Sequence, residues 1–365
     1  MIYIVSVLPN QVSHKLSNCR YTRCSAVMSD TVTSASIAYS DEDYLTRDAL
    51  SLPVRVWTRS DVVRGPCVIT FHGGGGTMGQ HLEIHPWWID ELVSYGVTVI
   101  SPAYPLAPLG NLSAQLGACA DLYAWARGRQ SVDENRVIIA GSSWGATLAV
   151  LTGAAVSPRP TAVVSLYGVL NFLDPYYADK ANFPADPRAA LSGDHTKTNI
   201  LTITAERIEA SSDSTNVKNA PVFAPRRAKL SAETLAALHV TDEEALRRSI
   251  DIQNDIATVA WETASFLEVV LPRYEWITDE RWRRTRAAKS PLSKLNKDSP
   301  PHLFVYGDQD TLVPCSNSLD AHDALQLLGV ESHLIAVPGG QHGCDKNWKV
   351  SVGESVYIHS CLKAC

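Results

Sequence analysis

Membrane-spanning runs, an excess of positive charge and closely paired cysteines are all missing from this 365-residue sequence. No apolar run approaches the ~18 residues that a membrane-spanning helix requires. The net charge is −6, whereas nucleic-acid-binding proteins typically carry an excess of positive charge. The eight cysteines include no C-x-x-C pair and no Cys/His group at the spacing of zinc ligands. We therefore expect no transmembrane segment, no nucleic-acid partner and no metal site.

The first 35 residues show no regular strand or helix pattern, and no acidic residue precedes Asp30. A disordered tail is one interpretation, and a misassigned start with Met28 as the true first residue is another. An acid-free, basic start is also typical of organelle transit peptides. Because no basic residues precede the apolar opening, a secretory signal is disfavoured. We expect a cytoplasmic, reducing location, with Cys67 and Cys119 as buried thiols.

From about residue 36 onward, predicted strands and helices alternate. This pattern is typical of an α/β fold in which helices cover both faces of a mostly parallel sheet. The strands are β-branched runs bounded by Pro or Gly, and the helices carry apolar residues at helical spacing. We predict strands over residues 52–58, 67–71, 97–101, 136–140, 162–167, 302–306 and 332–337. We predict helices over residues 87–95, 114–127, 144–156 and 318–328, and one within 350–362.

The interval 171–295 breaks this alternation. It begins with a Pro- and Ser/Thr-rich stretch and then becomes helical, with Thr241-Asp242-Glu243-Glu244 as a helix start before an amphipathic pattern toward Leu271. A compact sheet domain rarely contains so long a loop. We therefore divide the chain into an α/β core, 36–170 and 296–365, and an inserted, mainly helical cap, 171–295.

The segment Gly141-Ser142-Ser143-Trp144-Gly145 matches the pattern G-x-S-x-G between a predicted strand and a predicted helix. In that context the pattern forms a nucleophile elbow, a strained turn that requires small flanking residues. The serine hydroxyl then projects from the carboxyl edge of the sheet at a helix N-terminus, which favours negative charge. We predict Ser143 as a nucleophile, and a simple strand-to-helix turn is the alternative.

A second glycine-rich segment, His72-Gly73-Gly74-Gly75-Gly76, follows the strand predicted over 67–71. Consecutive glycines let backbone N–H groups approach a ligand without obstruction by side chains. Together with the N–H of Trp144, they would hold the oxyanion of a tetrahedral intermediate. A flexible loop or a phosphate cradle is the alternative, although the Lys-Ser/Thr ending of a phosphate loop is missing.

A serine nucleophile needs a base to take its proton, and the base needs an acid to fix its tautomer. His342 lies in a glycine-rich segment just after the last predicted strand, which makes it the candidate base. Asp308 and Asp310 follow the strand predicted over 302–306, and Asp174 follows the strand before it. These three aspartates are the candidate acids.

Together these segments resemble the hormone-sensitive-lipase-like esterases and lipases of the α/β-hydrolase superfamily. The resemblance covers roughly residues 50–170 and 288–345. Residues 101–108 resemble the D-Y-R-L-A-P segment of that group, and residues 290–295 resemble its S-P-L element. The resemblance implies an α/β-hydrolase fold with the chain order Ser, Asp, His.

The same resemblance assigns individual residues. The sequence D-T-L-V-P that begins at Asp310 resembles the D-x-x-V-P loop of the group, which selects Asp310 as the acid and leaves Asp308 as a turn residue. By the same likeness, the oxyanion donors carry over to Gly73, Gly74 and Trp144.

Two features depart from the group. Its elbow usually reads G-D-S-A-G-G, whereas this sequence has Ser142, Trp144 and Ala146 in place of Asp, Ala and the second Gly. The group also more often covers its site with N-terminal helices than with an insertion such as 171–295. Both departures bear on the substrate, since a bulky residue beside the nucleophile reshapes the acyl pocket.

We therefore expect a carboxylic ester hydrolase that works through an acyl-enzyme without a metal or organic cofactor. Its substrate would be a small-molecule ester, apolar or aromatic, because Trp87, Trp88 and Tyr104 lie near the site segments. Core packing is the other explanation for these aromatic residues. An acyltransferase, a lactone-forming enzyme or an amide hydrolase is the second hypothesis, and a catalytically silent binding protein is the third. A homodimer is one possible assembly of this chain.

Overall fold

The computed structural model describes residues 36–45, 51–108, 110–183, 243–273 and 276–346. Three predictions lie outside the described residues: the tail before residue 36, the first two residues of the helix start at Thr241, and the helix within 350–362. The same holds for residues 184–242 of the predicted cap.

Within the described residues, eight strands form one sheet. They are β1 Ile37–Leu45, β2 Ser51–Arg59, β3 Gly65–Phe71, β4 Thr98–Pro102, β5 Val132–Ser142, β6 Ala162–Leu166, β7 His302–Gly307 and β8 Ser332–Val337. The strand order is β1-β2-β4-β3-β5-β6-β7-β8. Strand β2 is antiparallel to β1 and β4, and all other neighbours are parallel. The predicted mostly parallel sheet is confirmed.

Six α-helices are described: α1 Leu112–Arg127, α2 Trp144–Ala155, α3 Glu243–Glu262, α4 Phe266–Val270, α5 Asp279–Lys289 and α6 Ser316–Leu327. Shorter 3-10 turns span Pro175–Ala178, Lys180–Asn182 and Pro291–Lys294. None of the helices in the described ranges has the length and apolar character needed to cross a membrane.

Three elements differ from the sequence prediction. Strand β1 was not predicted, because its polar S-D-E-D centre is exposed at a sheet edge and lacks an apolar alternation. Strand β5 begins four residues before the predicted start at 136, since Glu134 and Asn135 are exposed and give no apolar signal. The helix predicted over 87–95 is a π-helical turn, Trp88–Val93.

The strands bury alternate residues on opposite faces of the sheet, as a two-residue period requires. Ile69 and Ile139 lie in one apolar cluster with residues of α1, α2 and α6, whereas Val68 and Ile138 lie in a second cluster with the π-helical turn. Both faces are therefore covered. Cys67 and Cys119 are buried free thiols, as predicted.

The described part of the predicted cap contains α3, α4, α5 and the 3-10 turns. Ile256, Val259 and Phe266 from this part are buried in the same apolar cluster as Leu148 of α2. Gln253 of α3 also donates from its side-chain amide to the carbonyl of Ala107, at 3.1 Å. Helices α3, α4 and α5 lie in these ranges, and the division into core and cap stays a prediction.

Candidate active site

Ser143 occupies the sharp turn between β5 and α2. Its backbone has φ 54° and ψ −119°, a conformation that side-chain-bearing residues rarely adopt. A Cβ atom on Gly141 would lie 2.2 Å from the carbonyl carbon of Gly145, and one on Gly145 would lie 2.1 Å from the Phe71 oxygen. The turn therefore requires both glycines, which is the physical basis of the elbow pattern.

His342 and Asp310 lie beside this turn. Nε2 of His342 is 3.0 Å from Oγ of Ser143, and Nδ1 of His342 is 2.8 Å from Oδ2 of Asp310. The other carboxylate oxygen of Asp310 accepts the backbone N–H groups of Leu312 and Val313, at 2.8 and 3.0 Å. The structure thus brings the three predicted residues into one hydrogen-bonded series.

The other two candidate acids are engaged elsewhere. Asp308 accepts the backbone N–H of Gly339 at 2.7 Å, which fits a turn residue. Asp174 accepts the backbone N–H of Tyr176 and the side chains of Ser316 and Asn317, so it anchors the start of the insertion to α6. In the structure, only Asp310 among these three contacts His342.

The glycine loop lies against the elbow. A Cβ atom on Gly73 would lie 3.2 Å from the Cβ of Ser143, so the backbone at this position runs next to the nucleophile candidate. Gly74 has φ +106°, and a Cβ there would lie 2.1 Å from the Met78 carbonyl oxygen. Trp144 is the first residue of α2, so its N–H has no carbonyl partner within the helix. The backbones of both segments therefore lie next to Ser143.

Tyr104 and His72 lie beneath this loop. Both are buried, and their rings stack with centroids 4.2 Å apart. The Tyr104 hydroxyl donates to the carbonyl of His72 at 2.9 Å. Burial lowers the pKa of His72 to about 3, so its ring is neutral near pH 7. Because Tyr104 has no exposed surface, the geometry favours support of the loop over contact with a substrate.

The Trp144 side chain links the elbow to the glycine loop. Its indole Nε1 donates to Oε1 of Gln115 at 2.8 Å, and the amide of Gln115 donates to the carbonyl of Gly76 at 3.0 Å. Both side chains are fully buried. The indole also packs directly on Gly76, where a Cβ would lie 2.6 Å from Nε1. The unusual Trp of the elbow therefore connects the elbow to the glycine loop and packs against it.

Trp87 and Trp88 stack on each other with centroids 4.3 Å apart, and both are buried in the cluster on the π-helical-turn face. The indole of Trp87 donates to Asp345 at 3.1 Å. Substrate contact by these two residues stays a prediction, while their burial fits the core-packing explanation.

Sequence reasoning missed Gln115 and Asp345. Gln115 lies on α1 among apolar positions, and its polarity inside an otherwise buried helix face was the available signal. Asp345 is completely buried three residues after His342, where a charged residue in a Gly-rich turn carries no recognisable pattern.

A serine at a strand-to-helix elbow, set against a glycine loop on this sheet, defines the class of α/β-hydrolases. A family model described as alpha/beta hydrolase fold matches residues 68–247, and a prolyl oligopeptidase family model matches residues 257–356. The chain has the α/β-hydrolase fold, and its resemblance to the hormone-sensitive-lipase-like group is confirmed.

Curated relatives include two fungal non-reducing polyketide synthases. The chain is 27% identical over 307 residues to ausA of Aspergillus calidoustus, covering 78% of this chain and 12% of that protein. It is 24% identical over 344 residues to ascC of Acremonium egyptiacum, covering 85% and 15%. A shorter match is 47% identical over 58 residues to acylamino-acid-releasing enzyme 1 of Oryza sativa, covering 16% and 8%. The chain thus spans only a small part of these relatives' lengths.

Solved structures show the same fold. An esterase from Pyrobaculum calidifontis has a TM-score of 0.54 at 19% identity, covering 91% of this chain and 83% of that one. A bacterial heroin esterase has a TM-score of 0.53 at 15% identity, covering 91% and 84%. At these identities the similarity establishes the fold.

Proposed function

We propose that this chain is a serine hydrolase that cleaves a carboxylic ester through an acyl-enzyme. The single observation that carries the proposal is the hydrogen-bonded series from Ser143 through His342 to Asp310. A serine in a strained elbow with an imidazole 3.0 Å away is arranged for proton transfer.

Asp310 would set the protonation pattern of the base. Its carboxylate accepts only, so Nδ1 of His342 carries the proton on that side and Nε2 is left to accept the Ser143 hydroxyl proton. Asp310 would also stabilise the imidazolium that forms when Ser143 attacks. His342 would then protonate the leaving alcohol, and water would release the acyl group by the same route.

The negative charge on the tetrahedral intermediate would be held by the backbone N–H groups of Gly73, Gly74 and Trp144. Such donors are fixed before the reaction and need no rearrangement as charge develops. The N-terminus of α2 adds a favourable dipole at the same point. No step in this scheme uses a metal or an organic cofactor.

The substrate of this proposal is a small-molecule ester. The cytoplasmic location that the sequence favours stays a prediction, as does the apolar or aromatic character of the substrate. A homodimer stays one possible assembly.

A second candidate is acyl transfer, lactone formation or amide hydrolysis on the same site. The match to polyketide synthases over 78% of the chain favours it, because a polyketide is an acyl chain that a site of this kind would pass to water or to another nucleophile. Products would be compared with and without an alcohol or amine acceptor. New ester or amide products would favour transfer, and free acid alone would favour hydrolysis.

The first experiment measures hydrolysis of short and medium p-nitrophenyl esters, together with labelling by a fluorophosphonate. Ser143→Ala should abolish both in a folded protein, because the Ser143 hydroxyl is the group that lies 3.0 Å from Nε2 of His342. Ser142→Ala is the matched control: it removes the adjacent hydroxyl, which contacts Tyr167, but it keeps the Ser143 nucleophile, so the final labelled fraction should match the wild type. Labelling that persists in Ser143→Ala, or is absent from the wild type, would contradict the proposal.

A further inference from the structure

Asp345 is a buried carboxylate that the proposed reaction does not use. None of its side-chain surface is exposed, and it lies three residues after His342 in the turns that follow β8. A buried carboxylate is costly unless hydrogen bonds compensate for the loss of water. The groups that donate hydrogen bonds to Asp345 therefore indicate how its burial is compensated.

Three donors surround Asp345. The Tyr167 hydroxyl donates at 2.6 Å, Nδ1 of His85 lies at 2.7 Å, and the Trp87 indole donates at 3.1 Å. Burial by itself raises the pKa of Asp345, but the hydrogen bonds and the charge of His85 outweigh it and lower the pKa below its usual value. The group is therefore an ionised acceptor near neutral pH.

These donors come from two distant parts of the chain. Tyr167 follows β6, and His85 and Trp87 precede the π-helical turn, so the sequence separations from Asp345 are 178 residues for Tyr167 and 260 and 258 for the other two. Asp345 thus ties the short segment that carries His342 to two elements of the sheet domain.

Tyr167 also contacts the base candidate directly. Its ring meets the His342 imidazole edge to face, with centroids 4.8 Å apart and planes at 66°. The Tyr167 backbone has φ +42°, and its N–H donates to the Val305 carbonyl at 2.6 Å. The ring is held by its backbone at one end and by Asp345 and Ser142 at its hydroxyl, which leaves it little freedom beside the imidazole.

We propose that Asp345 is a positioning residue for His342, acting through the turn that carries the imidazole and through the Tyr167 ring that packs on it. This inference rests on the proposed function, in which His342 is the base. Its consequence is that the rate of proton removal from Ser143 depends on a carboxylate that contacts neither Ser143 nor His342.

The test compares Tyr167→Phe with Tyr44→Phe. Both changes remove one hydroxyl from a buried tyrosine, and the Tyr44 hydroxyl donates to the Ala103 carbonyl at 2.7 Å without contacting the site. Fluorophosphonate labelling gives two quantities: the final labelled fraction, which reports folded protein, and the rate constant per labelled site. A purely structural role changes the first quantity and leaves the second.

We expect Tyr167→Phe to lower the rate constant roughly tenfold and Asp345→Asn about 100-fold, the size of effect typical of a small misplacement of a reacting group. Tyr44→Phe should keep the wild-type rate constant. A wild-type rate constant in Tyr167→Phe would overturn the inference, even where Asp345→Asn fails to fold.

A second readout does not require any reaction. The proton that His342 shares with Asp310 should give a downfield NMR resonance in the wild type, identified by its loss in His342→Gln. That resonance should broaden in Tyr167→Phe and persist in Tyr44→Phe. An unchanged resonance in Tyr167→Phe would overturn the positioning role. Absence of labelling in the wild type would instead refute the proposed function, while the NMR comparison would still decide the role of Asp345.

Discussion

The two sides of Ser143 are held in different ways. On the side of the proposed oxyanion donors, the glycine loop is fixed by neutral contacts: the buried Trp144–Gln115 pair and the hydroxyl of Tyr104. On the side of the proposed base, Asp310 contacts His342 directly, and Asp345 contacts the Tyr167 side chain that packs on His342.

The difference follows from what each side has to do. Backbone N–H donors cannot change their protonation, so their positions need only neutral supports. An imidazole must gain and lose a proton, so it needs ionised neighbours that fix its tautomer and stabilise its charged form. Removing a partner from a buried ionic group costs more than removing a neutral one, because an uncompensated charge is harder to bury.

The largest expected loss of kcat follows from a change on the side of His342. Asp310→Asn should lower kcat by about 10⁴-fold, because a neutral amide no longer selects the tautomer or stabilises the imidazolium. Asp308→Asn is the matched control, because its contact with the Gly339 N–H needs only an acceptor, which Asn also provides. Ester hydrolysis by the two variants at equal folded concentration checks this. Equal losses in both would contradict the choice of Asp310.

A smaller effect is expected on the oxyanion side. Trp144→Phe keeps an aromatic ring against Phe172 but removes the indole donor to Gln115, and Gln115→Leu removes the whole link. Each should lower kcat by roughly 10- to 100-fold with little change in KM, since the loop shifts while the base stays in place.

The same two variants should lower the free energy of unfolding by about 1–3 kcal/mol each, because buried polar atoms lose their partners. A double-mutant cycle should show coupling between them. Trp282→Phe, which changes a buried indole on α5, should leave kcat unaltered. A wild-type kcat in Trp144→Phe would contradict the role of the indole in supporting the glycine loop.

The smallest expected effect is on the free energy of unfolding as the pH decreases. Burial lowers the pKa of His72 to about 3, so between pH 6.5 and 3 the unfolded chain binds a proton that the folded chain does not, and stability falls as pH decreases. From pH 7 to 5 this amounts to about 2 kcal/mol. The carboxylate of Asp345 has a lowered pKa, so its contribution is lost only below about pH 4.

Chemical denaturation of His72→Asn at pH 7 and pH 5 checks the sign. The decline should shrink by about 2 kcal/mol relative to the wild type. His302→Asn offers a matched comparison at the start of β7, because burial lowers the pKa of His302 to about 4. It should reduce the decline similarly and leave activity intact. A full wild-type decline in His72→Asn would contradict a neutral buried ring.

Much of the sheet could be predicted from the sequence, because buried parallel strands carry apolar β-branched runs. Strand β8 was predicted at its observed bounds, and β6 within one residue. Ser143 and His342 could be named because the strained elbow and a glycine-rich segment after a strand leave local marks in the sequence. Asp310 could be chosen over Asp308 because D-T-L-V-P resembles the D-x-x-V-P loop of the esterase group. The roles of Gln115 and Asp345 could not be predicted, because their contacts span 29 and 39 residues for Gln115 and up to 260 residues for Asp345, and such contacts depend on the assembled fold.

The separation between Ser143 and His342 along the chain also governs when the site can form. The elbow and the glycine loop lie in one run of strands, whereas His342 is 199 residues beyond Ser143 and follows the edge strand β8. Closing so long a loop carries an entropic cost that is recovered only when distant strands dock. A refolding chain should regain the circular-dichroism signal of its sheet before it regains reactivity toward a fluorophosphonate. The reactivity would then report the final step of folding, in which the segment with His342 docks beside Ser143.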